Sequence, residues 1–354
     1  TTHCTKFANF ADMKAVVDDK IPFIKGEIEK LVDIAEYIPG SEISREDLLD
    51  AEILVVRTRT KCGKSLLDGT SVKLIISATI GFDHIDTSYC KDNGIQWTNC
   101  PGCNAPSVRQ YIHSVLLLLK RERGFNLQEK TIGIVGAGHV GSLVAEDARA
   151  LGMNVLVNDP IRQMNEPDGN FVDLNEIAEK CDIISFHTPL TTDGPCPTFH
   201  LADKHFFESL RKHPVLMNSG RGSVVDNDLL LSALKQGAVS EAVIDTWEHE
   251  PHINLELLDR TFIGTPHIAG YSADGKATAT RMSLQALCRY LGKPFTLNIR
   301  APKLPDTMLP TSSDPEEMAL QLYNPHTDSD ALKNNPEMFE YLRGNYPLRR
   351  EYAD

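Results

Sequence analysis

Thr131-Ile-Gly-Ile-Val-Gly136-Ala-Gly138-His-Val-Gly141 decides the fold of this 354-residue chain. It reads as a short buried strand, a glycine turn and the first turn of a helix. Gly136 makes the tight turn, Gly138 lets the backbone approach a pyrophosphate, and Gly141 lets helix and strand pack closely. His139 and Val140 open the helix, where free N–H groups and the helix dipole face anions. Val140, Leu143, Val144, Ala148 and Leu151 follow at helical spacing, and Gly152 ends the run. A second apolar strand, Val155-Leu-Val157, leads to Asp159. That is about 20 residues past the glycines, where dinucleotide folds place the acid that accepts the ribose hydroxyls. A carboxylate there repels the 2′-phosphate of NADP, so NAD is the expected cofactor; Arg162, near in sequence, is the group that speaks for NADP. A glycine-rich turn in some other α/β protein is the plain alternative. The strand–turn–helix–strand–acid order weighs against it.

Outward from that stretch, apolar runs alternate with amphipathic ones. Before it come Ala15–Val17, a helix near Phe23–Leu31, Ile53–Val56, Leu74–Ile76, a helix after Asp86, and Ile95–Trp97. After it come Ile183–Phe186, Val215–Met217, Ala242–Ile244 and Phe262–Ile263, with helical stretches at about Asp203–Leu210 and Asp228–Gln236. This alternation predicts an α/β protein with two Rossmann-like or flavodoxin-like parallel-sheet domains. Two longer helices, about Ser107–Arg121 and Ser272–Leu291, link them, and the near-continuous Val115–Leu119 suggests burial between two domains. The expected division is a substrate-binding domain at 13–104, completed by about 272–295, and an NAD-binding domain at 105–271. Residues 1–12 read as a leader or extension. Residues 300–354, too short for an independent core, read as an arm that packs on a second subunit.

Composition narrows the function. Hydrophobic residues at 41% supply real cores, and a net charge of −13 gives no general attraction for nucleic acid or an anionic membrane. An anionic substrate therefore needs a local cluster of positive groups. Val115–Leu119 is far too short to span a bilayer, and the first 20 residues lack an apolar signal core, which reads as cytoplasmic. Cys100-Pro-Gly-Cys103 has redox or half-zinc spacing, but no second pair exists and Pro-Gly suits a turn. His249-Glu-Pro-His252 resembles a metal pair, yet its proline forbids the helical register that H-E-x-x-H needs. No metal is expected.

The strand ends of the second domain carry the groups with chemistry. His187-Thr188-Pro189 closes one strand and Asn218-Ser-Gly-Arg221 the next; Asp245-Thr-Trp247-Glu-His-Glu250 and Thr265-Pro-His267 close two more. One Arg, one acid and one His at the carboxyl edge of a parallel sheet suggest a hydride-transfer site. Oxidising a secondary alcohol requires removal of its O–H proton as hydride leaves, a task suited to an imidazole. A carboxylate orients that ring, and a guanidinium binds a substrate carboxylate and polarises the reacting oxygen. Each has a bland reading as well: an exposed loop arginine, a surface acid before a proline, a structural histidine. In the first domain, Val56-Arg-Thr-Arg-Thr-Lys61 concentrates three cations and two hydroxyls past a strand, and Ala78-Thr-Ile-Gly-Phe82 offers backbone donors at another. The second loop would hold a carboxylate, while Arg57, Arg59 or Lys61 reaches a distal phosphate; a solvated basic edge is the alternative.

These residues, with Pro101-Gly-Cys-Asn-Ala105, Phe186-His-Thr-Pro-Leu190, Asp193-Gly-Pro195 and His267-Ile-Ala-Gly-Tyr271, resemble the D-isomer-specific 2-hydroxyacid dehydrogenases. The similarity runs from Met13 through Leu291 and continues weakly into the tail, where Phe339–Tyr352 looks like a shortened dimerisation domain. The resemblance implies an active-site cleft between the two domains, and Arg221, Glu250 and His267 as the catalytic set. It implies Gly136, Gly138, His139, Val140, Gly141, Asp159, Thr188, Asn218, Ser219, Gly220, Asp245 and Gly270 as NAD contacts. Substrate contacts would come from Thr58, Thr79, Gly81, Arg57 and Tyr271, with Thr58 standing where serine is more usual. It further implies a small phosphorylated 2-hydroxy acid as substrate and a homodimer. A phosphoglycerate- or lactate-type dehydrogenase, and an NAD-sensing binding protein without turnover, are the rival readings.

Overall fold

The computed structural model describes residues 12–352, so nearly all of the expected leader lies outside the described residues. The chain forms two compact units. One comprises residues up to Cys103 together with Lys276–Ala301, and the other comprises Asn104–Gly275 and the residues from Pro302 onward.

In the first unit, β1 (Lys14–Asp18), β2 (Ile34–Ile38), β3 (Ile53–Val56), β4 (Leu74–Ser77) and β5 (Gln96–Thr98) form a parallel sheet of order β2-β1-β3-β4-β5. Alternate residues serve opposite faces, as a two-residue period demands. Ala15, Val17, Ile53, Val55, Leu74 and Ile76 pack with Ala277, Leu284 and Leu287 of the helix Ala273–Tyr290, whereas Val16, Leu54, Val56 and Ile75 pack with Leu48, Leu67 and Cys90. Two sequence expectations need correction. Residues 23–31 form only a single 3-10 turn at Ile28–Lys30, because Phe23 (φ 61°) and Gly26 (φ 84°) adopt left-handed backbone that breaks a helix. β2 escaped the sequence reading because it is an edge strand with no fully buried residue, so its pattern is weak.

In the second unit, β6 (Thr131–Val135), β7 (Asn154–Asn158), β8 (Ile183–Phe186), β9 (Val215–Asn218), β10 (Glu241–Ile244) and β11 (Ile263–Gly264) are ordered β11-β10-β9-β8-β6-β7, again parallel. The extra strand that dinucleotide folds commonly place beyond β7 is reduced to one backbone contact, Val172 N–H to Val157 O at 2.9 Å. Val135, Phe186, Asn218, Ile244 and Gly264 lie side by side in register, so the loops after these strands start from one row. The order reverses between β6 and β8, the switch point at which such sheets bind ligands.

The helix Ala105–Arg123 is buried at every residue from Ser114 to Leu119. Its cover comes from within the second unit: Val144, Ala145 and Ala148 of the helix His139–Ala150, and Leu320 and Tyr323 of the tail, share its core. The run that suggested burial between domains is thus explained by the tail. The helices Pro315–Leu322, Pro325–Asn334 and Phe339–Gly344 pack on this unit, with Leu332 and Phe339 fully buried in the core on the sheet's other face. Each such side chain contributes about 1.5–3 kcal/mol of burial. Ser329 Oγ also accepts the Gly264 N–H at 3.0 Å, so the tail covers edge strand β11.

Candidate active site

The glycine turn follows β6. Gly136 has φ 88°, and a Cβ on Gly141 would stand 1.9 Å from the Gly136 carbonyl oxygen, so both positions exclude any other residue. Gly138 and His139 are exposed at the start of the next helix, with Val140 half-buried behind them. Asp159 ends the adjacent strand. Its Oδ2 accepts the Ala137 N–H and its Oδ1 the Arg162 N–H, both at 2.9 Å, which ties the acid to the turn. Arg162 folds back on the same turn, donating to Ala137 O at 2.9 Å, while Glu166 pairs with its guanidinium at 2.6 Å. That pairing offsets the charge that would favour a 2′-phosphate. Thr188 turns its methyl and backbone to Gly136, and its hydroxyl oxygen is buried without a hydrogen-bond partner among the described residues, as a group reserved for a ligand would be. The residues present therefore fit NAD.

Beside Thr188 lies a histidine whose role the sequence did not suggest. His187 is bridged between Ser185 Oγ (2.9 Å to Nε2) and Ser219 Oγ (3.1 Å to Nδ1). Burial pushes its imidazole down to about 3, so it is neutral and serves as a hydrogen-bonding strut between β8 and the loop after β9. Asn218 shapes that loop internally: its amide donates to Arg221 O at 3.0 Å and accepts the Gly220 N–H at 3.1 Å. Arg221 is half-buried, and its side chain makes one hydrogen bond among the described residues, to Gly220 O at 2.9 Å, so its remaining donors are uncommitted there.

His267 and Glu250 meet. His267 Nδ1 lies 2.9 Å from Glu250 Oε2, and the other carboxylate oxygen accepts the Trp247 N–H at 2.9 Å. Burial pushes the Glu250 carboxyl up, but His267, the two hydrogen bonds and Arg343 outweigh it and hold the group below its ordinary value. Glu250 is therefore an ionised acceptor, which fixes the proton of a neutral His267 on Nδ1 and leaves Nε2 with its lone pair free to accept one. Trp247 is itself pinned by its indole N–H to Thr265 O at 2.9 Å.

Asp245 is 2% exposed, and its carboxylate faces the loop that bears His267. It accepts the Thr265 hydroxyl at 2.7 Å and the N–H groups of Ile268 and Ala269 at 2.8 and 3.0 Å. Gly270 packs against Asn104, and Tyr271 receives the Nε–H of Arg343 at 3.0 Å. Arg343, in the tail, also stands 3.9 Å from Glu250 Oε2. It was not singled out from sequence; nothing in local spacing ties a residue so distant in the chain to this loop.

The substrate-side candidates lie in the first unit. Thr79 Oγ1 is 2.7 Å from Ser77 Oγ, which is 3.0 Å from His84 Nε2, and it donates to Gly81 O at 3.0 Å. Thr58 is exposed, and Arg57 donates to Lys20 O at 3.2 Å. Arg59 and Lys61 take a different course: with Arg45, Ser41, Ser44, Thr60 and Ser65 they line a cavity of about 390 Å³ within this unit. Cys100 and Cys103 form a turn, with Gly102 at φ 75° and both sulfurs buried.

Residues 111–269 match the family model described as D-isomer specific 2-hydroxyacid dehydrogenase, NAD binding domain. The erythronate-4-phosphate dehydrogenase of Bacteroides fragilis is 56% identical over 339 residues, covering 96% of this chain and 97% of that protein. The chain belongs to the erythronate-4-phosphate dehydrogenase family. The Escherichia coli enzyme of that name is 39% identical over 360 residues, covering 96% of this chain and 93% of its own. Among solved structures, D-lactate dehydrogenase from Aquifex aeolicus, complexed with NAD and lactic acid, superposes with a TM-score of 0.67 at 26% identity. It covers 79% of this chain and 95% of its own length. NAD-bound 3-phosphoglycerate dehydrogenase from Entamoeba histolytica gives 0.67 at 25% identity, covering 83% of this chain and all of its own. These dehydrogenases leave about a fifth of the chain unmatched, whereas the erythronate-4-phosphate dehydrogenases share nearly all of it.

Proposed function

We propose that this protein oxidises 4-phospho-D-erythronate at C2 to 2-oxo-3-hydroxy-4-phosphobutanoate, with NAD reduced to NADH, in pyridoxal 5′-phosphate biosynthesis. The observation that carries the mechanism is the 2.9 Å contact between His267 Nδ1 and Glu250 Oε2. NAD, when bound, supplies the acceptor for the hydride that leaves C2. His267 Nε2 takes the hydroxyl proton as the C2–O bond becomes a carbonyl, and Glu250 stabilises the imidazolium that results. Arg221 holds the substrate carboxylate and the reacting oxygen, where its positive charge favours the developing carbonyl dipole.

Gly136, Gly138, His139, Val140 and Gly141 cradle the NAD pyrophosphate, Asp159 the ribose, and Thr188, Ser219, Gly220 and Gly270 border the nicotinamide half. Asn218 and Asp245 act behind them by shaping the loops. On the first unit, Thr79 and Gly81 meet the substrate carboxylate, Thr58 its hydroxyls, and a cation of the Arg57–Lys61 loop its phosphate. Tyr271 completes the substrate contacts. The protein works in the cytoplasm and as a homodimer; the exposed Met318, Met338, Tyr341 and Tyr352 on the tail support the homodimer. Sedimentation of the purified chain tests that assembly.

Turnover with NAD on 4-phosphoerythronate, 3-phosphoglycerate and D-lactate tests the activity. The expected result is a kcat/KM for phosphoerythronate well above the other two. Faster turnover of either rival acid, or none with any, would overturn the assignment.

A further inference from the structure

The last residues of the chain converge on the loop that carries His267. Arg349 is 4% exposed, and its guanidinium donates to the carbonyls of Ile268 (3.2 Å) and Ala269 (2.7 Å). It also donates to Ser107 O at 2.6 Å and Gln110 Oε1 at 2.9 Å, and it lies 3.9 Å over the Tyr323 ring. The next residues continue along the same loop. The Arg349 carbonyl accepts the Ala273 N–H, Arg350 pairs with Asp274 at 2.9 Å, and Glu351 accepts the Ser272 hydroxyl at 2.6 Å. Upstream, Arg343 reaches both Tyr271 and Glu250.

This loop needs holding. His267 has φ 57°, a left-handed conformation that a non-glycine residue keeps only when its surroundings over-determine it. Asp245 secures the loop from one side, accepting the N–H groups of Ile268 and Ala269. Arg349 secures the carbonyls of the same two residues from the other. A lysine there has one ammonium in place of a planar fork, and cannot span Ser107, Ile268 and Ala269 with equal geometry.

We propose that the segment Arg343–Glu351 is a positioning element for the active site of its own chain, fixing the backbone of His267 through Arg349 and the Glu250 and Tyr271 side chains through Arg343. This rests on His267 as the base, and it gives the tail a role in turnover separate from dimerisation. The fork of Arg349 and the shared carboxylate of Glu250 make the proposed catalytic pair depend on residues distant in sequence.

The test compares the full-length wild type with Arg349→Lys and Arg343→Gln. NADH-binding sites are counted by fluorescence titration, oligomeric state by sedimentation, and hydrogen exchange is followed in a peptide covering 262–275. The expected result is a kcat per NADH-binding site at least tenfold lower for Arg349→Lys, with NADH affinity and assembly within twofold of wild type. Exchange of the Ile268 and Ala269 amides rises while β6 stays protected. Arg343→Gln lowers kcat less and leaves that exchange unchanged. A kcat per site within twofold of wild type in both variants would overturn the proposal, whatever happens to the melting temperature. So would unchanged exchange in Arg349→Lys. A wild type that turns over no 2-hydroxy acid counts against the proposed function alone, and the exchange measurement then decides the clamp.

Discussion

Two loops at strand ends, one in each unit, are held in opposite ways. The loop after β11 has most of its N–H groups between Thr265 and Ala273 tied, with Asp245 accepting those of Ile268 and Ala269 and the tail holding the carbonyls of the same two residues and the Ala273 N–H. The loop after β3, Arg57 to Lys61, has exposed residues at 58, 59 and 61, and its one fully buried hydroxyl is Thr60, which donates to Gly40 O at 2.7 Å. The difference matches the two tasks proposed for these loops. Proton transfer needs a base fixed to a fraction of an ångström, which requires order before the substrate arrives. Gripping a distal phosphate needs charge and reach, and long cationic side chains supply both without such order.

That contrast can be broken from either side. The larger of the two effects is expected at Arg221, which the proposed mechanism sets against the reacting group: Arg221→Gln should lower kcat/KM for phosphoerythronate by about 10²–10³, a loss typical of removing one preorganised donor from a developing charge. Steady-state kinetics check this; a loss below tenfold would place Arg221 outside the site. The flexible side should respond differently. Neutralising Arg57, Arg59 and Lys61 one at a time should raise the KM for phosphoerythronate by about 10- to 100-fold at the cation that holds the phosphate, the worth of one charge-assisted hydrogen bond. The KM for NAD should stay put. If all three can be neutralised without effect, the phosphate is held elsewhere.

The smallest effect concerns stability rather than turnover. The His187 imidazole, pushed by burial to about 3 in the folded protein, titrates near its ordinary value once unfolded. Between those values the unfolded chain binds the extra proton, so stability is full above about pH 6.5 and falls as pH drops toward 3. His187→Gln, which keeps hydrogen bonding to the serines without a titrating ring, should flatten the fall in melting temperature from pH 7 to pH 4. An unchanged slope would show that other groups govern acid unfolding.

The parallel sheets and the row of strand ends that bears the candidate site were legible because both are local. Buried strands announce themselves as runs such as Ile53–Val56, and each candidate catalytic residue sits within a few positions of a strand end. The glycine turn was legible for a steric reason, since Gly141 faces a carbonyl where no Cβ fits. What escaped reading is long-range or half-exposed. β2 lacks a buried face, and the cavity lined by Arg45, Arg59 and Lys61 joins two loops that spacing cannot relate. The buried roles of Arg343 and Arg349 depend on which loop the tail meets. The one signal for Arg349 was Tyr346-Pro-Leu-Arg-Arg-Glu-Tyr352, where arginines stand among aromatic residues in an otherwise polar segment; Arg343 lies outside it. The same limit applies to Asp245, whose carboxylate holds the loop that bears His267.

The most direct test replaces the base and watches the proton. NADH formation from 4-phosphoerythronate is followed across pH for wild type and His267→Asn at matched NADH-site concentration. The expected wild-type profile has an acid limb that the variant lacks, and the variant's kcat is lower by about 10²–10⁴ with unaltered NADH affinity. A variant that retains kcat within tenfold of wild type and the same acid limb would contradict it.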